Sequence, residues 1–382
     1  MAVGVPKTSW EPTAGLDEPR AGKETPRGRT LGGKGADYSD SATLRKRCRG
    51  TALTPPRAIG TSALRMKIAL VFPGQGSQKP GMGKQLAADF ASARLVFEEV
   101  DEALKEKLSK TIFEGSEADL LPTHITQPAL MAVSMAVLAV LKELAGIDPK
   151  RDALFVAGHS LGEYTALAAA GALTVTSAAI TLRARGRAMQ KAAPGDPGAM
   201  TAVLGIDAFE KVEELAARAA RESKKVCVIA NDNSPGQVVL SGNTPAIEQA
   251  EAFAKEAGAK RAMRLATAAA FHSPLMKPAA DAMRDVLSTI DFRAPAVPVV
   301  ANVAAAPQRD AAKIKDLLVE QITGRVRWRE SVSWMAQNGV DTQIEVGSGK
   351  VLTGLAKRIV PDLASFAVET AADIDAFAKA RK

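Results

Sequence analysis

The stretch "ALFVAGHSLGEYTALAAAGAL", residues 153–173, decides the fold of this chain. Its beginning is a short apolar run, typical of a buried strand, and its end is rich in alanine and leucine, typical of a helix. Between them, Gly158, Ser160 and Gly162 form a Gly-x-Ser-x-Gly pattern. This pattern predicts a sharp strand-to-helix turn. Such a turn exposes the serine hydroxyl at the N-terminus of a helix, where backbone N–H groups favour developing negative charge.

Short apolar segments alternate with helical segments from Met66 onward, which predicts an α/β fold with a parallel sheet. The helical segments between the strands are rich in alanine and leucine. We expect this core to comprise residues 66–197 and 268–382. Its predicted strands are residues 67–72, 154–157, 297–300 and 342–346.

Residues 198–267 follow a different pattern, in which strand, helix, strand, strand, helix and strand succeed one another. The two middle strands meet at the turn sequence Asn-Ser-Pro-Gly, residues 233–236. Both helical segments carry an apolar stripe on one face. This βαββαβ order is that of a ferredoxin-like unit. We therefore expect a small ferredoxin-like domain inserted into a larger α/β core.

The net charge of +8 is concentrated at the N-terminus. Residues 1–65 contain 12 Lys or Arg and 6 Asp or Glu, together with many Gly, Pro, Ser and Thr. Because this segment lacks apolar periodicity, we expect a disordered N-terminal extension. The rest of the chain is close to neutral. Its composition therefore does not indicate a nucleic-acid partner.

The remaining composition favours a cytoplasmic protein without a membrane partner. The longest apolar run, "ALMAVSMAVLAVL" at residues 129–141, is too short to span a bilayer and predicts a buried helix. No segment near the N-terminus has the apolar core of a secretory signal. The two cysteines, Cys48 and Cys227, are too few for a disulfide framework.

A nucleophilic serine needs a base, and the chain contains three histidines. His159 adjoins Ser160, and neighbours on such a turn point away from each other, which favours a structural role. His124 lies in "PTHITQP", a capping or loop setting. His272 lies in "AAAFHSPLM", where the chain returns from the insertion to the main sheet. By elimination, His272 is the best candidate for the base.

The glycine-rich segment "FPGQGSQKPGMG", residues 72–83, directly follows the first predicted strand. Lys79 stands where a dinucleotide-binding fingerprint requires glycine, and the P-loop pattern also fails. Such a loop can instead aim backbone N–H groups into a site, as an oxyanion hole does. We expect Gln75 to supply one N–H group and Leu161, the residue after the serine, to supply the other.

Arg185 lies on the apolar stripe of the helical segment "AAITLRARGRAMQ", residues 178–190. An arginine on a packed face requires an anionic partner, because burying an unpaired charge is costly. Two partners remain open. One is an internal Asp or Glu in a buried salt bridge. The other is a substrate carboxylate, which the planar guanidinium binds through two parallel hydrogen bonds.

From Met66 onward the chain resembles the malonyl-CoA:acyl carrier protein transacylase family. The motifs that carry the resemblance occur in family order and cover nearly all of residues 66–360. They are "FPGQGSQKPGMG", "TQPAL", "GHSLGEYTAL", "RGRAMQ", "GAM", "SPGQVVLSGN", "FHSPLM", "VRW" and "EVGSGKVLTGLAKRI".

This resemblance implies a hydrolase-like α/β core and a malonyltransferase that serves fatty acid synthesis. In such an enzyme the malonyl group passes from malonyl-CoA to the phosphopantetheine thiol of acyl carrier protein through a malonyl-serine. CoA and phosphopantetheine thioesters are substrates, and no metal or redox cofactor is implied. The family is commonly monomeric. It has no counterpart to residues 1–65, so nothing is implied for them.

The resemblance also implies roles for individual residues. Ser160 is the nucleophile and His272 is its base. The malonyl carboxylate binds Arg185. A backbone carbonyl orients the second ring nitrogen of His272, and the implied donor of that carbonyl is Arg327 of "VRW", where many relatives have Gln. The oxyanion N–H groups implied are those of Gln75 and Leu161.

Three alternatives compete with this interpretation. A serine esterase or lipase has its catalytic residues in the order Ser, then Asp or Glu, then His, and usually carries a His-Gly-Gly-Gly type loop. The sequence lacks that loop. A binding module with a degenerate site is disfavoured, because every catalytic position is filled. A different acyl specificity, such as methylmalonyl in a polyketide pathway, is the third. Phe271, directly before the base, should crowd an α-methyl group.

Overall fold

The computed structural model describes residues 66–192, 197–267 and 269–381. The predicted N-terminal extension, residues 1–65, lies outside the described residues. The strands are β1 (Ile68–Phe72), β2 (Ala153–Gly158), β3 (Ala199–Leu204), β4 (Cys227–Ser234), β5 (Gln237–Gly242), β6 (Arg261–Arg264), β7 (Val299–Ala301), β8 (Ala306–Gln308), β9 (Thr342–Val346) and β10 (Ala364–Val368).

The helices lie between these strands and after the last one. They are α1 (Lys84–Asp89), α2 (Ala91–Leu104), α3 (Leu108–Glu114), α4 (Glu117–Leu120), α5 (Thr123–Ala145), α6 (Pro149–Asp152), α7 (Gly162–Ala169), α8 (Val175–Lys191), α9 (Phe209–Ser223), α10 (Thr244–Glu256), α11 (Lys277–Thr289), α12 (Ala311–Thr323), α13 (Trp328–Gln337), α14 (Val351–Ile359) and α15 (Ala371–Ala380). A 3-10 turn at Pro274–Met276 precedes α11.

The larger sheet has the strand order β10-β9-β1-β2-β7-β8. Its first five strands are parallel, and β8 pairs antiparallel at the edge. Every residue of the central strand β1, "IALVF", is buried, as expected for a parallel sheet covered by helices on both faces. The predicted α/β class with a parallel sheet is confirmed. The carboxyl ends of β1, β2 and β7 meet at one edge, where a ligand site is expected.

Helix α5 packs against both α2 and α8 in the core. By length and composition it is apolar enough to cross a membrane, but 67% of its most apolar window is buried inside the protein. It also carries Gln127 into the interior, with 1% of the residue exposed. The predicted buried helix at residues 129–141 is confirmed as part of α5. Its apolar surface therefore belongs to the core of the α/β unit.

The second sheet is antiparallel, with the strand order β4-β5-β3-β6. Helices α9 and α10 pack together on this sheet and enclose a small separate core. Its buried residues include Val212, Leu215, Val238, Leu240 and Ile247. The elements follow one another as strand, helix, strand, strand, helix and strand. The domain boundaries at residues 198 and 267 stay a prediction.

Strand β4 joins this second sheet to the larger unit. Val326, just before α13, forms a parallel bridge with Asn231 and exchanges backbone hydrogen bonds of 2.8 and 2.9 Å with Ala230 and Asp232. The Asp232 carboxylate accepts hydrogen bonds of 2.7–3.0 Å from the Arg329 guanidinium. These contacts attach the end of β4 to the start of α13.

We expect the two halves of this ion pair to differ in their effect on stability. Asp232 is 1% exposed, whereas Arg329 is 32% exposed at its side chain. Arg329→Ala leaves a buried carboxylate without its cation and should cost about 3–5 kcal/mol. Asp232→Ala leaves an arginine that water reaches and should cost about 1–3 kcal/mol. Denaturant unfolding of both variants measures the difference.

Lys277→Ala is the matched control, because it breaks an ion pair with Asp281 in which both side chains are more than half exposed. It should change the free energy of unfolding by about 0.5 kcal/mol or less. Equal losses for Arg329→Ala and Asp232→Ala would contradict the asymmetry. If either variant loses no more free energy of unfolding than the control, the Arg329–Asp232 ion pair does not stabilise the attachment of β4.

Candidate active site

Ser160 lies on the sharp turn between β2 and α7, with a left-handed φ of 53°. The flanking glycines are required by close backbone approach. A Cβ on Gly158 would lie 1.9 Å from the carbonyl of Gly162, and one on Gly162 would lie 2.3 Å from the carbonyl oxygen of Phe72. The Gly-x-Ser-x-Gly pattern thus forms the predicted strand-to-helix turn.

Asn302, directly after β7, holds this turn in place. Its Oδ1 accepts a 2.7 Å hydrogen bond from the backbone N–H of Ser160, and its Nδ2 donates a 2.7 Å bond to the carbonyl of Gly158. A non-glycine residue with a left-handed φ persists only where its surroundings over-determine the conformation. Asn302, 1% exposed, provides that restraint from a neighbouring parallel strand.

His272 lies within hydrogen-bond reach of the serine. Its Nε2 is 2.8 Å from Ser160 Oγ, and its Nδ1 is 2.8 Å from the backbone carbonyl oxygen of Gln321. A carbonyl oxygen can only accept, so Nδ1 carries the proton. Nε2 is therefore the acceptor, and the serine hydroxyl donates to it. The structure brings the predicted nucleophile and the predicted base together.

The expectation for Arg327 is wrong, because the carbonyl at His272 belongs to Gln321. Gln321 lies in the last turn of α12, where carbonyl groups have no partner within the helix and remain free to accept. The carbonyl of Arg327 accepts instead from the N–H and the hydroxyl of Ser331, at 2.9 and 2.8 Å. It therefore belongs to the first turn of α13.

Burial and the nearby charge of Arg185 lower the pKa of His272 to about 3. Burial is the larger cause, since only 4% of the residue is exposed. The imidazole is consequently neutral at physiological pH. A neutral ring with Nε2 free to accept is the form that general-base catalysis needs.

The other two histidines make structural contacts. His159 Nε2 lies 2.8 Å from Asn233 Oδ1, and its ring packs against Trp328. Burial lowers the pKa of His159. His124 is the second residue of α5, and its Nδ1 lies 2.6 Å from the side-chain oxygen of Gln190.

Arg185 is 1% exposed and lies beside the serine. Its Nη1 donates to Gln127 Oε1 at 2.9 Å. Its Nη2 donates to Gln321 Oε1 at 2.8 Å and to Ser160 Oγ at 3.2 Å. Burial lowers the pKa of Arg185. Among the described residues, no carboxylate lies within 4.0 Å of the guanidinium. The internal salt bridge that the sequence left open is therefore absent from the described part of the chain.

A cavity of about 100 Å³ opens at Ser160, His272 and Arg185. Gln75 and Leu161 both line it, as the oxyanion prediction requires. In residues 66–192, 197–267 and 269–381, neither backbone N–H of these two residues has a hydrogen-bond partner. The remaining lining residues are Gln127, His159, Met189, Met200, Asn231, Leu265, Thr267 and Phe271.

The acyl transferase domain family matches residues 69–371 of this chain. The chain belongs to the acyl transferase family. It is 47% identical over 302 residues to the malonyl CoA-acyl carrier protein transacylase of Bacillus subtilis, an alignment that covers 79% of this chain and 93% of that protein. The resemblance to malonyl-CoA:acyl carrier protein transacylases is thereby confirmed.

Solved structures of family members agree with this assignment. The acyl-carrier-protein S-malonyltransferase of Bartonella henselae is 52% identical, with a TM-score of 0.79, covering 83% of this chain and 99% of that one. A malonyl-transacylase in complex with its type II polyketide synthase acyl-carrier protein is 40% identical, with a TM-score of 0.78, covering 82% of this chain and 99% of that one.

Four polar residues of the site escaped the sequence analysis. Gln127 and Gln321 hold Arg185, Asn302 holds the turn, and Glu163 contacts both Gln321 and Asn302. One signal was available. Two of them are polar residues beside an apolar run, namely Gln321 in "DLLVEQI" and Asn302 in "VPVVANV". Such a residue must find a hydrogen-bond partner when it is buried.

We expect acid to destabilise the wild-type protein more than the variant His272→Ala. The pKa of His272 is lowered from 6.5 to about 3 in the folded protein, so between these pH values the unfolded chain binds more protons. Stability therefore falls as the pH falls. From about pH 7 to about pH 5 the wild type should lose about 2 kcal/mol more than the variant. Denaturant unfolding at both pH values measures this loss, and parallel losses would contradict it.

Proposed function

We propose that this chain transfers the malonyl group of malonyl-CoA to the phosphopantetheine thiol of acyl carrier protein through a malonyl ester of Ser160. The observation that carries the proposal is the buried guanidinium of Arg185, which is 3.2 Å from Ser160 Oγ and has no carboxylate partner in the described part of the chain. A malonyl group on Ser160 Oγ would bring the missing carboxylate to this guanidinium. The relatives' names describe this reaction.

In the first half-reaction, Ser160 Oγ attacks the thioester carbonyl while its proton passes to His272 Nε2. The Nδ1–H bond to the Gln321 carbonyl stabilises the imidazolium that forms. The carbon–sulfur bond then breaks, and the proton passes from Nε2 to the sulfur of CoA. The product is a malonyl ester of Ser160, so the acyl group is neither oxidised nor reduced.

The developing oxyanion is stabilised by the backbone N–H groups of Gln75 and Leu161. Both residues line the cavity. Leu161 precedes α7 directly, so the helix N-terminus adds a favourable dipole. Removing one donor from such a site typically costs about 10²–10³ in kcat.

The second half-reaction is the reverse of the first, with the phosphopantetheine thiol as the incoming group. His272 Nε2 accepts the thiol proton, the sulfur attacks the ester, and the proton returns to Ser160 Oγ. Because a thioester is exchanged for a thioester, the overall reaction is close to balance and no external oxidant or reductant enters it. We propose that it proceeds without a metal or redox cofactor.

Arg185 separates this function from that of a serine esterase or thioesterase, which would have no use for a buried cation at the nucleophile. Phe271, Met189 and Met200 line the same cavity, whose volume is only about 100 Å³. This crowding favours malonyl over methylmalonyl. A fatty acid carrier protein is the proposed acceptor, and a polyketide carrier protein is the alternative.

The finer features of the fold and the cellular setting belong to the same proposal. The parallel sheet with its strand-to-helix nucleophile turn supports a hydrolase-like core. The order βαββαβ, with β3 and β5 central in the second sheet, supports a ferredoxin-like insertion. We take the enzyme to be a cytoplasmic monomer that meets acyl carrier protein as a separate partner.

The test of this function is the ratio of kcat/KM for malonyl-CoA to that for acetyl-CoA in the wild type and Arg185→Ala. Acetyl lacks the carboxylate and leaves the buried cation unpaired. The substitution should lower malonyl transfer about 10- to 100-fold, since a charge-assisted pair is worth about 1.5–3 kcal/mol. Acetyl transfer should fall much less or rise. Arg185→Lys should restore part of the ratio, because it lacks the planar fork.

Arg187→Ala is the matched control, since Arg187 lies on the same helix with its side chain exposed. It should leave both kcat/KM values near those of the wild type. If Arg185→Ala lowers malonyl and acetyl transfer in proportion, the residue is structural and the substrate assignment loses its physical basis.

A further inference from the structure

Glu163 is a buried carboxylate that the proposed mechanism does not use. It lies in the first turn of α7, three residues after the nucleophile, and 2% of it is exposed. Its Oε2 accepts a 3.0 Å hydrogen bond from the backbone N–H of Asn302 and a 2.8 Å bond from Gln321 Nε2. Burying a carboxylate costs free energy, so the contacts of Glu163 indicate which groups it holds in place.

The Gln321 side chain connects this carboxylate to Arg185. Its Nε2 donates to Glu163 and, at 3.1 Å, to the backbone carbonyl of Ser160, while its Oε1 accepts from Arg185 Nη2 at 2.8 Å. Guanidinium only donates and carbonyl oxygen only accepts, so only one orientation of the amide satisfies all three contacts. The flipped amide would place N–H groups against N–H groups and oxygen against oxygen.

Charge favours the same arrangement. Burial raises the pKa of Glu163 to about 7, while the hydrogen bonds from Asn302 and Gln321 and the charge of Arg185 favour its ionised form. The buried carboxyl group and the buried cation are linked through a single amide. A carboxylate in direct contact with Arg185 would occupy the guanidinium and compete with the carboxylate of a substrate. An amide between them orients the guanidinium and leaves it able to bind the carboxylate of a substrate.

We propose that Glu163 is a positioning residue for substrate selection. Through the Gln321 amide it holds the Arg185 guanidinium in the orientation that binds an acyl carboxylate. The proposal rests on the proposed function, because it requires Arg185 to bind that carboxylate. It assigns Glu163 no contact with the substrate and no proton transfer.

The test compares Glu163→Ala with Glu163→Gln by the malonyl-to-acetyl ratio of kcat/KM. The alanine variant removes one of the oxygens that hold Gln321 Nε2, which loosens the amide that orients Arg185, and should lower the ratio about tenfold, chiefly through a higher KM for malonyl-CoA. The glutamine variant keeps an oxygen that accepts from Asn302 and Gln321. It should retain a ratio within about threefold of the wild type.

Gln321→Leu breaks the same connection at its centre and supplies a second variant should Glu163→Ala fail to fold. It should also lower the ratio about tenfold, because the amide that orients Arg185 is lost. The base stays in place, because the backbone carbonyl that holds His272 is retained. In the background of Arg185→Ala, Glu163→Ala should change the ratio no further. Such non-additivity is expected of residues that act as one unit.

Glu345→Ala is the matched control for loss of a buried glutamate. Glu345 is 0% exposed, and its carboxylate accepts hydrogen bonds from Leu352 and Thr353 at the start of α14. It should lower the melting temperature and leave the ratio unchanged. If Glu163→Ala lowers both activities in proportion, as a merely structural residue would, the proposal is wrong. A wild type that does not transfer malonyl, or an unchanged ratio in Arg185→Ala, would instead overturn the proposed function.

Discussion

The burial of one cation without a carboxylate partner constrains the whole site. Arg185 reaches the interior on the apolar face of α8, where water cannot solvate it. Its hydrogen bonds therefore come from neutral amides, Gln127 on α5 and Gln321 on α12, and from the oxygen of Ser160. Such partners accept from Nη1 and Nη2, leave Nε without a hydrogen-bond partner among the described residues, and bring no carboxylate into contact with the guanidinium, which is the condition for binding an anion. The same charge helps to keep His272 neutral and able to accept a proton.

The fold places these groups together through the edge at which parallel strands end. Strand β2 leads into the strained turn of Ser160, and β7 ends beside it with Asn302, whose side chain holds that turn. The last turn of α12 supplies a free carbonyl to His272 and an amide to Arg185 from the same residue, Gln321. The end of one helix thus fixes both the base, His272, and the cation, Arg185. A shift of α12 would therefore disturb both residues at once.

The features that could be predicted from sequence are those with a local cause. The alternation of apolar strands and helices, the Gly-x-Ser-x-Gly turn and the buried helix at residues 129–141 each depend on neighbouring residues. His272 followed by elimination among three histidines. The partner of Arg185 could not be predicted, because it depends on which side chains of other helices face it. The error at Arg327 has the same origin, since which carbonyl is free depends on where α12 ends and α13 begins.

The central claim is that Ser160 carries the malonyl group between two thiols. Intact-mass measurement after mixing with malonyl-CoA tests it most directly, followed by addition of acyl carrier protein that bears its phosphopantetheine thiol. The account predicts a stable adduct of one malonyl group on the wild type, none on Ser160→Ala, and transfer of the adduct to the carrier protein on mixing. An adduct that persists in Ser160→Ala, or one that is released to water as malonate before the carrier protein is added, would contradict it.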